Sequence, residues 1–254
     1  MLNVDLNSVS VLDEDERRVI LKEIQFEVQA GSVYTILGKN GSGKSTLIKS
    51  LTALLPQEQY AIYGNVFFND MNLLKTNKDT LRKIRKNNIR YVLQDVANSL
   101  DPLKKLKYYF NLSNTETEVI ENQLKYFLLP TYKKLCGLHS YELSGGMAQR
   151  LLIVLALLAD PNIIILDEPT SGVDYAITNL ILLKLKEFIK EKDKAVLIVT
   201  QDINFAIKSS DYIAYLSKGS LTKFSTPQNF LKLKVDNEIK NFIQSYEEIN
   251  NASS

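Results

Sequence analysis

The sequence predicts an α/β fold: a core of parallel strands, an antiparallel β layer near the N-terminus, and a helical subdomain inserted into the core. Three observations predict it. Apolar runs at Ser32–Leu37, Ile89–Leu93, Ile163–Leu166, Val196–Val199 and Tyr212–Leu216 alternate with helical stretches, which is how strands covered on both faces and joined by crossover helices look. Nearer the N-terminus, Val9–Leu12, Ile24–Val28 and Gly64–Phe68 alternate apolar with polar residues, as strands exposed on one side do. Between Asp95 and Leu143 the strand signals vanish, and helices are expected over Pro102–Phe110 and Glu116–Leu128.

These elements divide the chain into a single domain over 1–228, with its core at 1–94 and 156–228 around a helical subdomain at 95–155. A weakly amphipathic helical tail at 229–254 follows, with Phe230, Leu231, Ile239, Phe242 and Ile243 on its apolar side and loose final residues. At 254 residues and 45% hydrophobic the chain can bury a sizeable core. A net charge of +2 gives no global reason to expect nucleic acid as a partner. The basic cluster Leu81–Arg90 reads as a solvated helix face. Cys136 is the single cysteine, so the fold holds without an intrachain disulfide, as suits a reducing compartment. The N-terminal residues lack the pattern of a signal peptide. The longest apolar run, Leu151–Ala159, stops at Asp160-Pro161-Asn162, well short of the ~20 residues a spanning helix needs. The chain reads as soluble, and any membrane role must come through a partner.

Gly38-Lys-Asn-Gly-Ser-Gly-Lys-Ser45 fits GxxxxGK[ST] directly after one strand and before a helical run, which makes this a P-loop NTPase core. The glycines Gly38, Gly41 and Gly43, with Asn40, Ser42 and Thr46 among them, let backbone N–H groups surround phosphate oxygens at a helix N-terminus. Lys44 reaches the β and γ phosphates, and Ser45 ligates magnesium. The strand Ile163–Leu166 then ends in Asp167-Glu168-Pro169-Thr170. Two acids there supply one group for the magnesium shell, Asp167, and one to orient and deprotonate water, Glu168. Ser144, Gly145 and Gly146 open the helical run Leu151–Ala159 as a capped end whose first N–H groups are bare, suited either to capping alone or to an anion.

The order of Gly38–Thr46, Gln94, Leu143-Ser-Gly-Gly-Met-Ala-Gln-Arg150 and Ile165-Leu-Asp-Glu-Pro-Thr-Ser-Gly-Val-Asp174 resembles the ATP-binding-cassette ATPases, from about Val9 to about Phe224. The resemblance implies ATP and Mg2+ as cofactors, with Gln94 touching the metal and Asp174 crossing a dimer interface. It implies two such subunits meeting head to tail, each ATP lying between one phosphate loop and the partner's Ser144–Gly146 segment. Two multispanning membrane subunits and a solute-binding protein would complete the complex on the cytoplasmic face of the membrane. The stretch Gln94-Asp-Val-Ala-Asn-Ser-Leu-Asp-Pro102 is similar to the peptide and nickel import branch. A soluble assembly or scaffold ATPase, as in iron-sulfur cluster biogenesis, is the alternative. A repair ATPase would need a long coiled coil, and only 49 residues separate Gln94 from Ser144.

Three features depart from the branch. Its C-terminal extension with cysteines and a His-Pro-Tyr motif does not occur in this sequence. Ser8–Glu23 holds no Phe, Tyr or Trp to stack on the adenine, so Arg17, Arg18 or Leu12 is expected to hold the base. Where the family has a histidine after Val196–Val199, Gln201 stands. Gln201 reads as a weakened γ-phosphate sensor, which favours a heterodimer with a partner keeping the histidine, or else as a loop residue that catalysis does without. His139, the single histidine, is expected to be a surface or packing residue.

Overall fold

The computed structural model describes residues 1–13, 16–93, 99–233 and 239–244. Its N-terminal layer is antiparallel. β1 (Leu2–Leu12) pairs with β2 (Arg17–Val28) on one side and with β4 (Tyr60–Phe68) on the other, and β5 (Met71–Asn72) adds to β4. The second sheet runs β10-β9-β3-β8-β7-β6 and contains β3 (Val33–Leu37), β6 (Ile89–Val92), β7 (Ile163–Asp167), β8 (Ala195–Thr200), β9 (Tyr212–Ser217) and β10 (Ser220–Leu221). All its pairings are parallel except β9 with β10.

Both N-terminal strands are longer than their alternation suggests, because the apolar phase changes within each. On β1 the buried apolar residues are Leu2, Val4 and Leu6, then Val9, and the pairing with β4 shifts between Leu6 and Ser8. On β2, Leu21 gives way to Ile24, Phe26 and Val28 across Glu23, whose φ is +53°. A bulge of this kind moves the hydrophobic set to the other parity without leaving the core face.

The parallel strands are apolar throughout because each face of the sheet meets its own core. On β7, Ile163 and Ile165 join a cluster with β1, β2 and the helix α1 (Lys44–Leu51), while Ile164 and Leu166 face the opposite cluster. On β8, Leu197 and Val199 take the first side and Val196 and Ile198 the second. The first cluster also takes Leu81 and Ile84 of α2 (Lys78–Asn87), capped by Asn77, whose side chain accepts from the Thr80 N–H at 2.9 Å. Residues on α3 (Leu106–Ser113), α4 (Thr117–Tyr126), α5 (Tyr132–Cys136), α6 (Gly145–Leu158) and α7 (Tyr175–Phe188) fill the second.

The expected helix at Pro102–Phe110 begins later, at Leu106. Asp101 holds a turn instead, its side chain accepting from the Leu103 N–H at 2.9 Å, and the Leu106 N–H is taken by the Leu138 carbonyl at 2.8 Å. The helix expected at Glu116–Leu128 is α4, within a residue or two of those ends. α6 runs unbroken through 155 and 156, and Arg150 on it donates to the carbonyls of Phe127 at 2.9 Å and Leu128 at 3.2 Å. After α8 (Ile203–Ser209) and α9 (Pro227–Phe230), the helical residues 239–244 bury Ile239 and Ile243 in a third cluster with Tyr215 and Phe230. Among the described residues no helix is long and apolar enough to cross a membrane.

Candidate functional site

The loop between β3 and α1 wraps the N-terminus of α1, and two of its glycines are required by geometry. Gly43 caps α1 with φ +102°, a conformation that L side chains rarely adopt. A Cβ on Gly38 would stand 2.7 Å from the Leu216 carbonyl oxygen, so the loop closes on the sheet only with glycine there. The Lys44 ammonium turns back and donates to the carbonyls of Gly38 at 2.7 Å and Lys39 at 3.1 Å. It lies 3.4 Å from Glu168 Oε1, and both side chains are buried.

The two acids at the end of β7 both reach this loop, although neighbours on a regular strand point opposite ways. The turn solves it: Glu168 has φ +50°, and its N–H donates to the Val199 carbonyl at 2.9 Å. A non-glycine residue in this region costs about 1–2 kcal/mol, and such strain persists where surrounding structure over-determines it. Glu168 Oε2 accepts from the Thr200 hydroxyl at 2.7 Å and the Gln201 N–H at 3.1 Å. The Gln201 side chain itself is exposed. Asp167 Oδ2 accepts from the Tyr91 hydroxyl at 3.1 Å. Burial pushes the Asp167 carboxyl above its ordinary range, against the lowering pull of the Ser45 and Tyr91 hydroxyls.

A cleft of about 340 Å³ opens over the loop, and Asn40, Gly41, Gly43, Lys44, Ser45, Thr46 and Glu168 line its phosphate end. The rest of its lining comes from the antiparallel layer: Val11, Arg18, Ile20 and Tyr60. Of the three residues expected to hold a base, Arg18 alone is there. The Arg17 guanidinium sits over the Tyr63 ring at 4.7 Å from its centroid, and Leu12 pairs with Arg17. The reason is strand parity, which sends neighbours to opposite faces.

Other expected site residues lie elsewhere. Ser144 caps α6, its hydroxyl accepting from the Met147 N–H at 3.3 Å, and Ser144 and Gly145 are exposed rather than part of the cleft. Gly146 packs by the Gly172 carbonyl. Asp174 is exposed and caps α7, accepting from the Ile177 N–H at 2.9 Å. Gln94 lies outside the described residues. His139 stacks on Tyr141 with ring centroids 5.2 Å apart and caps a short turn with Glu142. The residues that sequence reasoning missed are Tyr60, Ile20, Tyr91 and Thr200. Only Thr200 carried a local signal, as the last residue of the strand leading to Gln201.

Residues 21–171 match the ABC transporter family. The chain belongs to that family. This ABC ATPase is 33% identical over 236 residues to the dipeptide transport ATP-binding protein DppD of Caldanaerobacter subterraneus, spanning 89% of this chain and 72% of that one. It is 27% identical to the metal-staphylopine import system ATP-binding protein CntD of Staphylococcus aureus, over 91% and 88% of the two chains. Among solved structures it resembles a dimeric ATP-binding cassette in a post-hydrolysis state bound to ADP and Pi, with a TM-score of 0.75 and 27% identity, covering 89% of this chain and 99% of that one.

As an ABC ATPase the chain hydrolyses ATP with Mg2+, and the site fits the metal. Asp167 Oδ1 is buried without a hydrogen-bond partner, and the Ser45 hydroxyl stands by the same carboxylate. Unpartnered oxygens of this kind suit a hard cation. No group of three or more His, Cys, Asp or Glu side chains that could hold a metal occurs among the described residues. That matches Mg2+, which is commonly held by one or two side chains plus substrate phosphates.

Proposed function

We propose that this ABC ATPase powers import of a peptide, nickel or a metal chelate through two separate multispanning membrane subunits, at the cytoplasmic face of the membrane and with a solute-binding protein. The observation that carries the reading is the separation of its parts. The phosphate loop and Glu168 share one cleft, with Asp167 beside Ser45, while Ser144, Gly145 and Asp174 are exposed outside it. A second ATPase subunit brings its own Ser144-like segment to this cleft and receives this one in return. The dipeptide and metal-staphylopine names of the relatives support the importer class.

In this reading the loop N–H groups of Gly38–Thr46 and the Lys44 ammonium hold the β and γ phosphates. Ser45, Asp167 and Gln94 would hold Mg2+, which would supply positive charge beside the phosphates. Glu168 takes the proton of the attacking water, and Gln201 offers its amide to the γ-phosphate. The helical subdomain at 95–155 receives the membrane subunits, beside a groove of about 280 Å³ bordered by Arg90, Leu100, Leu112 and Leu152. The tail at 229–254 stays outside the reaction. Co-purification from detergent-solubilised membranes tests the reading. Two multispanning proteins and a second ATPase subunit are expected, and recovery with soluble partners alone would replace it with the scaffold class.

A further inference from the structure

A second pocket, of about 460 Å³, opens between α2 and the connection from α1 to β4, and none of the phosphate-loop residues, Asp167 or Glu168 lines it. It is larger than the nucleotide cleft and shares only Tyr60 with it. Its floor is an open edge of the first core cluster: Leu55, Leu73 and Leu81 are buried there, and Ile62 packs against the same cluster. An apolar floor with a few polar groups around it is how small-molecule sites are built, and the volume is in their range.

The polar groups are charged, and they carry both signs. Lys78, Arg82 and Arg85 follow one another along one stripe of α2. Arg85 is fixed before anything binds: its Nε donates to the Thr52 carbonyl at 2.9 Å and its Nη2 to the Ala53 carbonyl at 2.5 Å, which closes the C-terminal end of α1. A guanidinium held in this way offers its remaining nitrogen at little entropic cost. Arg82 meets only Asp79, at 3.3 Å with both side chains exposed, a contact worth little in water and replaceable by a ligand carboxylate. The carboxylate in the lining is Glu58, and among the described residues no ion pair joins it to these cations. Opposite charges that line one pocket without meeting leave room for a ligand that carries both.

We propose that this pocket binds a short zwitterionic peptide with apolar side chains. Its carboxylate lies on Arg82 and Arg85 with Lys78 beside them, its ammonium on Glu58, and its side chains on Leu55, Ile62 and Leu73. A free amino acid separates its two charges by a single carbon, whereas two extended residues set them about 7 Å apart, which suits charges on separate walls. The site is independent of the phosphate loop, and of what the complex carries.

Titration calorimetry of the full chain with leucyl-leucine tests this, beside N-acetyl-leucyl-leucine amide, octanoate and free leucine. Leucyl-leucine is expected to bind at one site, and the three others about ten-fold more weakly or worse. Arg82→Glu and Glu58→Lys, both at exposed positions, are each expected to weaken it by about ten-fold or more, since each sets like charge against one end of the ligand. Octanoate binding as tightly as leucyl-leucine, or Glu58→Lys without effect, would make this a plain anion site and overturn the zwitterion. Absence of dipeptide binding at millimolar concentration would overturn the pocket. A titration repeated at saturating Mg-ATP is expected to give the same single site, and competition would place the dipeptide in the nucleotide cleft instead.

Discussion

The Thr200 hydroxyl donates to Glu168 Oε2 at 2.7 Å, with Thr200 fully buried and Glu168 nearly so. The same hydroxyl oxygen accepts the Asp202 N–H at 3.0 Å, so the start of α8 and the acid are tied through one atom. Thr200→Val keeps the shape and removes both bonds. A fall in kcat of about ten- to a hundred-fold with KM little changed is expected, because a hydrogen bond to a charged group is worth about 1.5–3 kcal/mol and this one aims Glu168. Steady-state ATPase assays check it. An altered KM with kcat intact would assign Thr200 to nucleotide binding instead.

Removing the acid is a harsher change. Glu168→Gln keeps the hydrogen bonds that hold the side chain while losing the base, which typically costs ~10²–10⁴ in rate. ATP binding survives, and the ATP-bound dimer accumulates. Sedimentation with and without ATP reads this directly, and a variant as monomeric with ATP as without it contradicts the two-subunit site.

The Gln201 side chain is exposed, whereas its backbone N–H donates to Glu168. Gln201→His is expected to raise ATPase activity a few-fold to ~10², since one donor to developing charge is worth up to ~10²–10³. Gln201→Ala in the same purified complex is expected to fall below wild type. A rate lowered by histidine and untouched by alanine would leave the backbone N–H as the residue's whole contribution.

Asp167 sets function against stability. Its carboxyl is held above the ordinary range by burial, so the folded chain holds that proton more tightly than the unfolded chain does. Stability is therefore lost as pH climbs from the unfolded aspartate value, about 3.9, through the higher folded value, and stays lost above it. Asp167→Asn retains an acceptor for Tyr91 and removes this cost. Without nucleotide the variant should melt higher than wild type at pH 7, with the gap closing toward pH 4, while Mg2+-dependent hydrolysis is abolished. Thermal melts at the two pH values, with ATPase assays, decide it.

The sequence displayed the parallel sheet plainly because β3, β7 and β8 are covered on both sides, and continuous apolar runs follow from that. It displayed the phosphate loop and the paired acids because their chemistry lies in consecutive residues. β1 was half hidden, since its bulge changes the apolar parity between Leu6 and Val9. The cleft's second wall was visible only in part: Arg18 was a candidate, but Tyr60 lies far along the chain from it, and only the registers through Val11 bring them to one row. Choosing between Arg17 and Arg18 needed the same register. Thr200 was readable as strand, yet its bond to Glu168 depends on the left-handed turn after Asp167, which no local pattern marks.

The single span of α6 has a mechanical consequence. Its 14 residues make a rod about 21 Å long, held at its far end where the Thr115 hydroxyl donates to the Leu158 carbonyl at 3.2 Å, and exposed at Ser144. Pivoted near Leu158, a tilt of only ~10° sweeps Ser144 through about 3.6 Å, more than a hydrogen-bond length. In the proposed two-subunit arrangement, a slight push on the insertion would be geared up into making or breaking the contact between this end of α6 and the partner's nucleotide.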